Sequence, residues 1–451
     1  MESSTFTSFR GDIYGCFGNA ADALMNVVDA LLTETQARSL AELSLSPFFE
    51  RRWPSLYEAF QDAQIDRIAL QKVFLQYGPE PPKNQRLVIG GDASSILRPQ
   101  SKTAEDRTYV HVSNAPRGSK PVLPGWQYSE LAILPDEASS WVYVLDNQRI
   151  PSTKTQGEVM AEQLKQTTPL LSSRPLFLGD GYYGSEIFRG LVAEVPCDVL
   201  VRYACNRKLY RQPPPVTGDV GPGHPTWHGA VLKLADPTTH GTPDQSYDGT
   251  DAHDHRLEVH CWQNLHFQKW HLLPVCLYQV IRHGAEGTKR DPKVSWFVFW
   301  GKTPPSPEEV PILYARRYHM EHGYRVAKQD LLWEKPRLRT PDQFSRWTDV
   351  VSIVRNLLYL ARDLVGGFRQ PWANADRPDT PEQARHGMWR ILLELGTPAR
   401  MSQPRGKSSG WPIGQIRRPS KTYKVVFKGG VKLPKGAKPP STGFSGASLA
   451  V

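Results

Sequence analysis

Residues 312–335, ILYARRYHMEHGYRVAKQDLLWEK, place Tyr314, Arg317, Glu321 and Lys328 at offsets of 0, 3, 7 and 14. At about 100° per residue these offsets span roughly 60° of a helix surface, so one helix would carry all four in a single stripe. Such a stripe offers a hard carboxylate for a divalent cation, two cations for phosphates, and a phenol that can hydrogen-bond or stack. Two further acids end apolar runs: Asp92 in RLVIGGDASS and Asp180 in RPLFLGDGYYGSEIFRGL. Strand ends of an α/β sheet project side chains into a shared crevice, so Asp92, Asp180 and Glu321 form a candidate trio. Three clustered acids without a cation would repel one another and lose hydration, which a metal resolves. Two Mg2+ or Mn2+ ions about 4 Å apart can activate a water or a 3′-hydroxyl and stabilise the leaving oxygen of a phosphodiester. Each acid alone says little, because an Asp after an apolar run is ordinarily a turn former or helix cap.

The elements needed to position these residues are readable in outline. Residues 10–76 show apolar positions recurring at three and four, which predicts short helices, and residues 1–80 carry six basic against eleven acidic residues. GPEPPKNQ at 78–85 reads as a linker. Strand-like runs follow (RLVIGGDASS, RTYVHV, WQYSELAILP, SWVYVLDNQRI), then a helical TQGEVMAEQLKQTTPLL, the Asp180 strand and CDVLVRYA. This succession predicts an α/β sheet of mixed strand direction flanked by helices. Residues 206–310 interrupt it with a Pro-, His- and Asp-rich stretch and strands such as RLEVHCWQNL and SWFVFWGK, read as a β-rich insertion. The helix of the opening stripe follows, then one that Thr340 and Gln343 would begin with a capping box. The expected division is a helical region at 1–80, a catalytic core at 81–205 and 311–400, the insertion at 206–310 and a tail at 401–451.

That tail holds the whole net charge of +10: it contains ten Lys or Arg and no Asp or Glu, so residues 1–400 sum to zero. Arg417, Arg418 and their neighbours, interleaved with Trp411, Tyr423 and Phe427, suit a flexible arm on a phosphate backbone. No apolar run reaches membrane-spanning length, and the N-terminus lacks a signal-peptide pattern, which predicts a cytoplasmic, nucleoid-associated protein. The five cysteines are scattered without a CxxC, so reduced thiols are expected. His224 and His228 have ligand-like spacing, but no compact partner pair completes a zinc site. GDGYYGS lacks the Lys-Ser/Thr of a nucleotide-binding loop. Asp146, Asp106 and Glu105 read as core-edge or solvated acids, and Tyr318 and Tyr324 as packing residues.

YARRYHMEHGYRVAK resembles the Y-x2-R-x3-E-x6-K signature of bacterial insertion-sequence transposases, whose DDE site sits on an RNase H-like fold. LVIGGDASS and LFLGDGYYGSEIF resemble that family's two aspartate motifs, although the first lacks the usual threonine-containing turn. The 88-residue gap from Asp92 to Asp180 suits its strand succession, and the 141-residue gap to Glu321 suits members with a β-strand insertion. The resemblance implies that Asp92, Asp180 and Glu321 bind two magnesium ions and that Tyr314, Arg317 and Lys328 grip transposon-end phosphates. It implies a tryptophan of the insertion stacking on a flipped base, with Trp262, Trp270, Trp296 and Trp300 as candidates and spacing favouring Trp296 or Trp300. The implied partners are double-stranded DNA (terminal inverted repeats and target) and a second copy of the chain in the DNA complex, with no membrane. The alternatives are a DNA-binding protein with a repurposed nuclease fold and a host endonuclease that cleaves without joining. Removing residues 401–451 should reduce the salt dependence of DNA binding, measured as the slope of log affinity against log salt.

Overall fold

The computed structural model describes residues 3–112, 121–135, 139–214, 226–251, 254–284, 291–365, 379–403, 412–416 and 419–428. Helices α1 (Ser3–Gly15), α2 (Ala21–Thr33), α3 (Leu40–Leu43), α4 (Trp53–Asp62) and α5 (Arg67–Gln76) open the chain. Strands β1 (Val88–Leu97), β2 (Thr108–His111), β3 (Val122–Ile133) and β4 (Tyr143–Ile150) follow. Helix α6 (Gln156–Thr167), β5 (Leu176–Gly179), α7 (Glu186–Leu191) and β6 (Asp198–Tyr203) come next. A hairpin, β7 (Lys208–Tyr210) and β8 (Val231–Lys233), precedes β9 (Gln245–Thr250), β10 (Arg256–Leu265), β11 (Val275–Arg282) and β12 (Lys293–Trp300). The chain then forms α8 (Glu309–Ala315), α9 (Tyr318–Arg325), α10 (Pro341–Ala361) and α11 (Pro381–Leu395).

The sheet is mixed, as the sequence predicts. β3 pairs antiparallel with β1, and β1, β5 and β6 run parallel, the arrangement expected of an RNase H-like core. β2 and β4 both pair with β3. The strands of residues 245–300 continue this same sheet: β12 pairs with β6 from Trp296↔Tyr203 to Trp300↔Val199, and β11, β10 and β9 add outward in turn.

Alternation along β1 sorts its side chains between two cores. Ile89 packs with Phe177, Met160 and Leu164 on one face; Val88 packs with Leu178, Leu200, Val310, Leu313 and Met320 on the other. Both faces are close-covered just before Asp92: a Cβ on Gly90 would lie 2.7 Å from Leu134 Cδ1, and one on Gly91 2.6 Å from Met160 Cε. A side chain at either position would displace Leu134 on one face or Met160 and Phe177 on the other, which favours the glycines of IGGD.

Helix α10 closes the β4 edge. It begins with the expected Thr340–Gln343 capping box, and further along Asn356 both donates to Val144 O (2.9 Å) and accepts from Val144 N (2.8 Å). That amide stands in for a neighbouring strand. Arg355, the preceding residue, makes two hydrogen bonds of 2.6 and 3.0 Å to Glu130 of β3, which is fully buried and also accepts from Asn147 Nδ2. The N-terminal helices share this core, with Phe60 edge-on to Trp347 at 5.4 Å.

Residues 419–428 of the tail are pinned where the sequence suggested a flexible arm. Val426 N donates to Arg107 O at 2.7 Å, Tyr423 N to Lys102 O at 2.9 Å, and the Phe427 ring lies 5.0 Å from that of Tyr109. The backbone acceptors lie in the segment leading into β2, and Val426 forms an isolated parallel bridge with Thr108 at its start. Arg417 and Arg418 lie outside the described residues. The cysteines are free thiols, and among the described residues no helix is long and apolar enough to cross a membrane.

Truncating Glu130 would leave Arg355 buried and unpaired, so Glu130→Ala should destabilise the fold by about 3–5 kcal/mol in urea unfolding. Pairing Glu130→Leu with Arg355→Met should recover most of that loss.

Candidate functional site

The parallel ladder between β1 and β5 sets Gly90 against Leu178. Asp92 and Asp180 each lie two residues further along, so the two carboxylates come level on neighbouring strands. Asp92 shares its face of β1 with Val88 and Gly90, the face covered by α8 and α9. Met320 is fully buried in that interface, and the next residue, Glu321, emerges at its margin. Two residues on, Gly323 lets α9 sit close against α10: a Cβ there would lie 2.5 Å from Arg355 Nη2 and 2.7 Å from Val142 Cγ2. The Glu130–Arg355 pair, with Glu130 directly opposite Asp92 in the β1–β3 register, thus backs both the strand and the helix of the site. The sequence reading passed over Glu130, although a lone acid inside the apolar run ELAIL signals a buried charge with a partner.

The stripe expected on one α-helix is built differently. Around Arg317 the backbone tightens to i→i−3 bonds: Arg317 N to Tyr314 O, His319 N to Arg316 O and Met320 N to Arg317 O, at 3.0–3.1 Å. Residues 326–330 then widen into a π-turn closed by Leu331 N to Val326 O. Tight and wide turns rotate successive side chains in opposite senses relative to an α-helix, so the four residues still address the same region, on separate short pieces.

Each member has a definite partner. Arg317 Nη2 bonds Glu321 Oε1 at 2.6 Å, and Nη1 lies 3.7 Å from Asp92 Oδ2. Tyr314 donates to Gly179 O at 3.3 Å, next to Asp180, and packs on Phe297 with ring centroids 4.5 Å apart; burial pushes its phenol up to about 12. Lys328 Nζ donates to Ser95 O at 3.2 Å, three residues beyond Asp92 on β1, and burial lowers its pKa. Asp180 Oδ1 accepts from Tyr182 N at 2.9 Å, which shapes the turn into α7.

Burial and the charge of Asp180 push the Asp92 carboxyl up to about 6, against partial relief from Ala93 N and Arg317. The nearby Tyr324 hydroxyl is shielded and has no hydrogen-bond partner among the described residues. Tyr324, expected to be a packing residue, does stack on Trp333, whereas Tyr318 is 53% exposed and edge-on to His322. The chemistry of this donor set, all-oxygen and mutually repelling, fits a hard divalent cation. In this conformation the Arg317 guanidinium takes the bridging role. Among the described residues no three His, Cys, Asp or Glu side chains converge closely enough to hold a metal ion. Glu321 is about half exposed, so its pairing with Arg317 is worth less than about 1 kcal/mol and is readily exchanged.

Of the tryptophans expected to stack on a base, Trp262, Trp296 and Trp300 are buried and Trp270 is partly exposed. Trp296 and Trp300 are 4% and 3% exposed, because β12 is an interior strand covered on the face they share. Trp296 packs on Trp262, itself buried, and Trp300 on Phe267, while Trp270 is tied to Glu186 O through its indole N–H. Trp227 is the half-exposed tryptophan of this region and lies parallel to His271 at 4.9 Å. His224 lies outside the described residues, and His228 shares a 2.9 Å ring-to-ring hydrogen bond with His266. Asp106 pairs with Arg149, and Asp146 is held by Gln148 and Gln163, away from the trio.

A family model described as DDE superfamily endonuclease matches residues 12–265, more than half of the chain, including Asp92 and Asp180. The chain belongs to the DDE superfamily endonucleases. A search of curated proteins finds no significant match to it. Endonucleases of this superfamily generally use divalent metal ions, in keeping with the acid-rich donor set. The match ends before Glu321, so the third acid rests on the packing of α9 against β1.

In the metal-free endonuclease, ionised Asp92 destabilises the folded state, because its folded pKa lies above its unfolded value. The cost is absent below about pH 4, grows through pH 6 and is fully present above, reaching about 3 kcal/mol. Asp92→Asn should therefore raise Tm at pH 7.5 in chelator, with the gain shrinking towards pH 4 in thermal melts.

Proposed function

We propose that this endonuclease is a transposase of the insertion-sequence type, cutting at the terminal inverted repeats of its element and joining the freed 3′-end to target DNA. The observation that carries this reading is Asp92 level with Asp180 beneath a helix bearing Glu321, with Arg317 and Lys328 at the same crevice. Phosphodiester hydrolysis needs a divalent cation at the scissile phosphate and cationic side chains on its non-reacting oxygens, and this crevice offers residues for both.

Asp92, Asp180 and Glu321 would hold two Mg2+ or Mn2+ ions, which when bound supply Lewis acidity to the attacking and leaving oxygens. Arg317 is the residue with two possible employers, the carboxylates in this conformation and a DNA phosphate in the complex. Moving to a phosphate would release Glu321 while keeping the guanidinium paired. Lys328 lies along the same strand edge and extends the phosphate contact beyond Asp92. Tyr314 positions the Asp180 strand through Gly179 O. In the first step water attacks phosphorus and the 3′-oxygen leaves with a proton. In the second that 3′-hydroxyl attacks a target phosphodiester, displacing one 3′-oxygen and conserving the number of bonds.

Joining two ends calls for two active sites, which favours a homodimer on DNA. The proposal separates from a host endonuclease by product: a labelled duplex carrying the gene's flanking sequences should give metal-dependent nicks at the repeat border and joined molecules. Glu321→Gln and Asp180→Asn should each lower nicking at least about a thousandfold, roughly 4 kcal/mol of barrier, while retaining DNA binding. Nicks without joining would favour the host nuclease, and unchanged nicking would remove these acids from the site.

A further inference from the structure

A groove of about 650 Å3 opens beside the loop that follows Asp180, lined among others by Ser185 of that loop, Glu186 at the start of α7, and Arg207, Lys208, Lys233 and Lys269. Because β5 and β6 are parallel neighbours, Asp180 and the segment leading from Tyr203 to Arg207 leave the sheet at the same rim. The groove therefore begins where the crevice ends.

Its charges are set by the fold. Lys208 and Lys233 stand directly opposite each other in the β7–β8 ladder, both exposed. Like charges at facing positions of an antiparallel pair destabilise it, so the arrangement costs the isolated hairpin and is relieved by an anion. The hairpin is nonetheless fixed in place: Leu209 and Leu232 are fully buried, and Tyr210 exchanges backbone hydrogen bonds of 3.0 and 2.8 Å with His266. Lys269 is held between two anchors, since Gln268 N donates to Glu186 Oε1 at 3.0 Å and Trp270 Nε1 to Glu186 O at 2.9 Å. The groove's carboxylate is thereby engaged in placing a lysine. Among the described residues, none of the four cationic side chains forms an ion pair.

We propose that this groove is a second DNA-backbone site, holding the duplex as it leaves the Asp92–Asp180 crevice. Four cations that form no ion pair among the described residues, with Lys208 Nζ 5.2 Å from the Tyr210 ring centroid, line one open channel, which suits an extended polyanion; a single small anion would engage one or two of them. The inference rests on reading the crevice as the place where DNA is cut.

The test uses the full chain and a fluorescent duplex carrying the gene's flanking sequences, with binding followed by anisotropy over a salt series in chelator. The combined variant Arg207→Gln, Lys208→Gln, Lys233→Gln and Lys269→Gln should flatten the slope of log affinity against log salt by about 0.9 per lost contact, up to roughly 3–4 in all. Lys233→Gln and Lys269→Gln alone should each lower it by about one contact's worth, which keeps the test valid if the combined variant misfolds. Lys233→Arg should restore the slope. An unchanged slope and affinity in these variants would overturn the groove while leaving the cleavage reading intact. A reduced slope with no metal-dependent nicking by wild type would instead support the groove and count against the cleavage reading. A wild-type chain that does not bind DNA would overturn both.

Discussion

Two carboxylates brought level on neighbouring parallel strands, and partly removed from water, repel each other. The structure around them is organised by that repulsion. Asp92 carries its cost as a raised pKa, and the nearest compensating charge is Arg317, delivered by a helix break that exists only because the backbone tightens there. Glu321 joins through the same guanidinium. Arg317 thus spans two of the three acids, and the more exposed of those two, Glu321, is the one held more weakly.

Rigidity is concentrated behind the acids. Glu130 and Arg355 form a fully desolvated pair opposite Asp92, and Gly323 allows α9 to rest against that pair. Such a pair adds little net stability relative to an apolar core, yet breaking it is costly, so it defines position. The strand carrying the first acid and the helix carrying the third are referenced to one buried contact, while their reactive groups face outward and are free to exchange partners.

Beyond the core, residues 245–300 lengthen one sheet from the edge of β6. This explains why Trp262, Trp296 and Trp300 are buried: a strand with neighbours on both sides and packing on its faces has no exposed ring to offer. The β7–β8 hairpin and the turns near α7 keep accessible surface, and the cations of the groove sit there.

The types of chemistry were legible in the sequence by itself. Acids that end apolar runs, a Tyr-Arg-Glu-Lys spacing and a tail holding all the net charge pointed to phosphodiester chemistry on an α/β sheet, because residue type and local periodicity are properties of a few neighbouring positions. Alternation predicted the strands, and Thr340 with Gln343 predicted a cap that forms. Tertiary structure decided the rest. The approach of Asp92 to Asp180 depends on a ladder register between segments 88 residues apart, and no local signal carries register. The break at Arg317 falls between α8 and α9, which both contribute to the core on the Val88 face of β1. The roles of Glu130 and the buried tryptophans, and the docking of residues 419–428 beside the segment leading into β2, likewise follow from which surfaces the fold leaves open. That is a consequence of long-range packing, which the order of residues implies only through the whole chain at once.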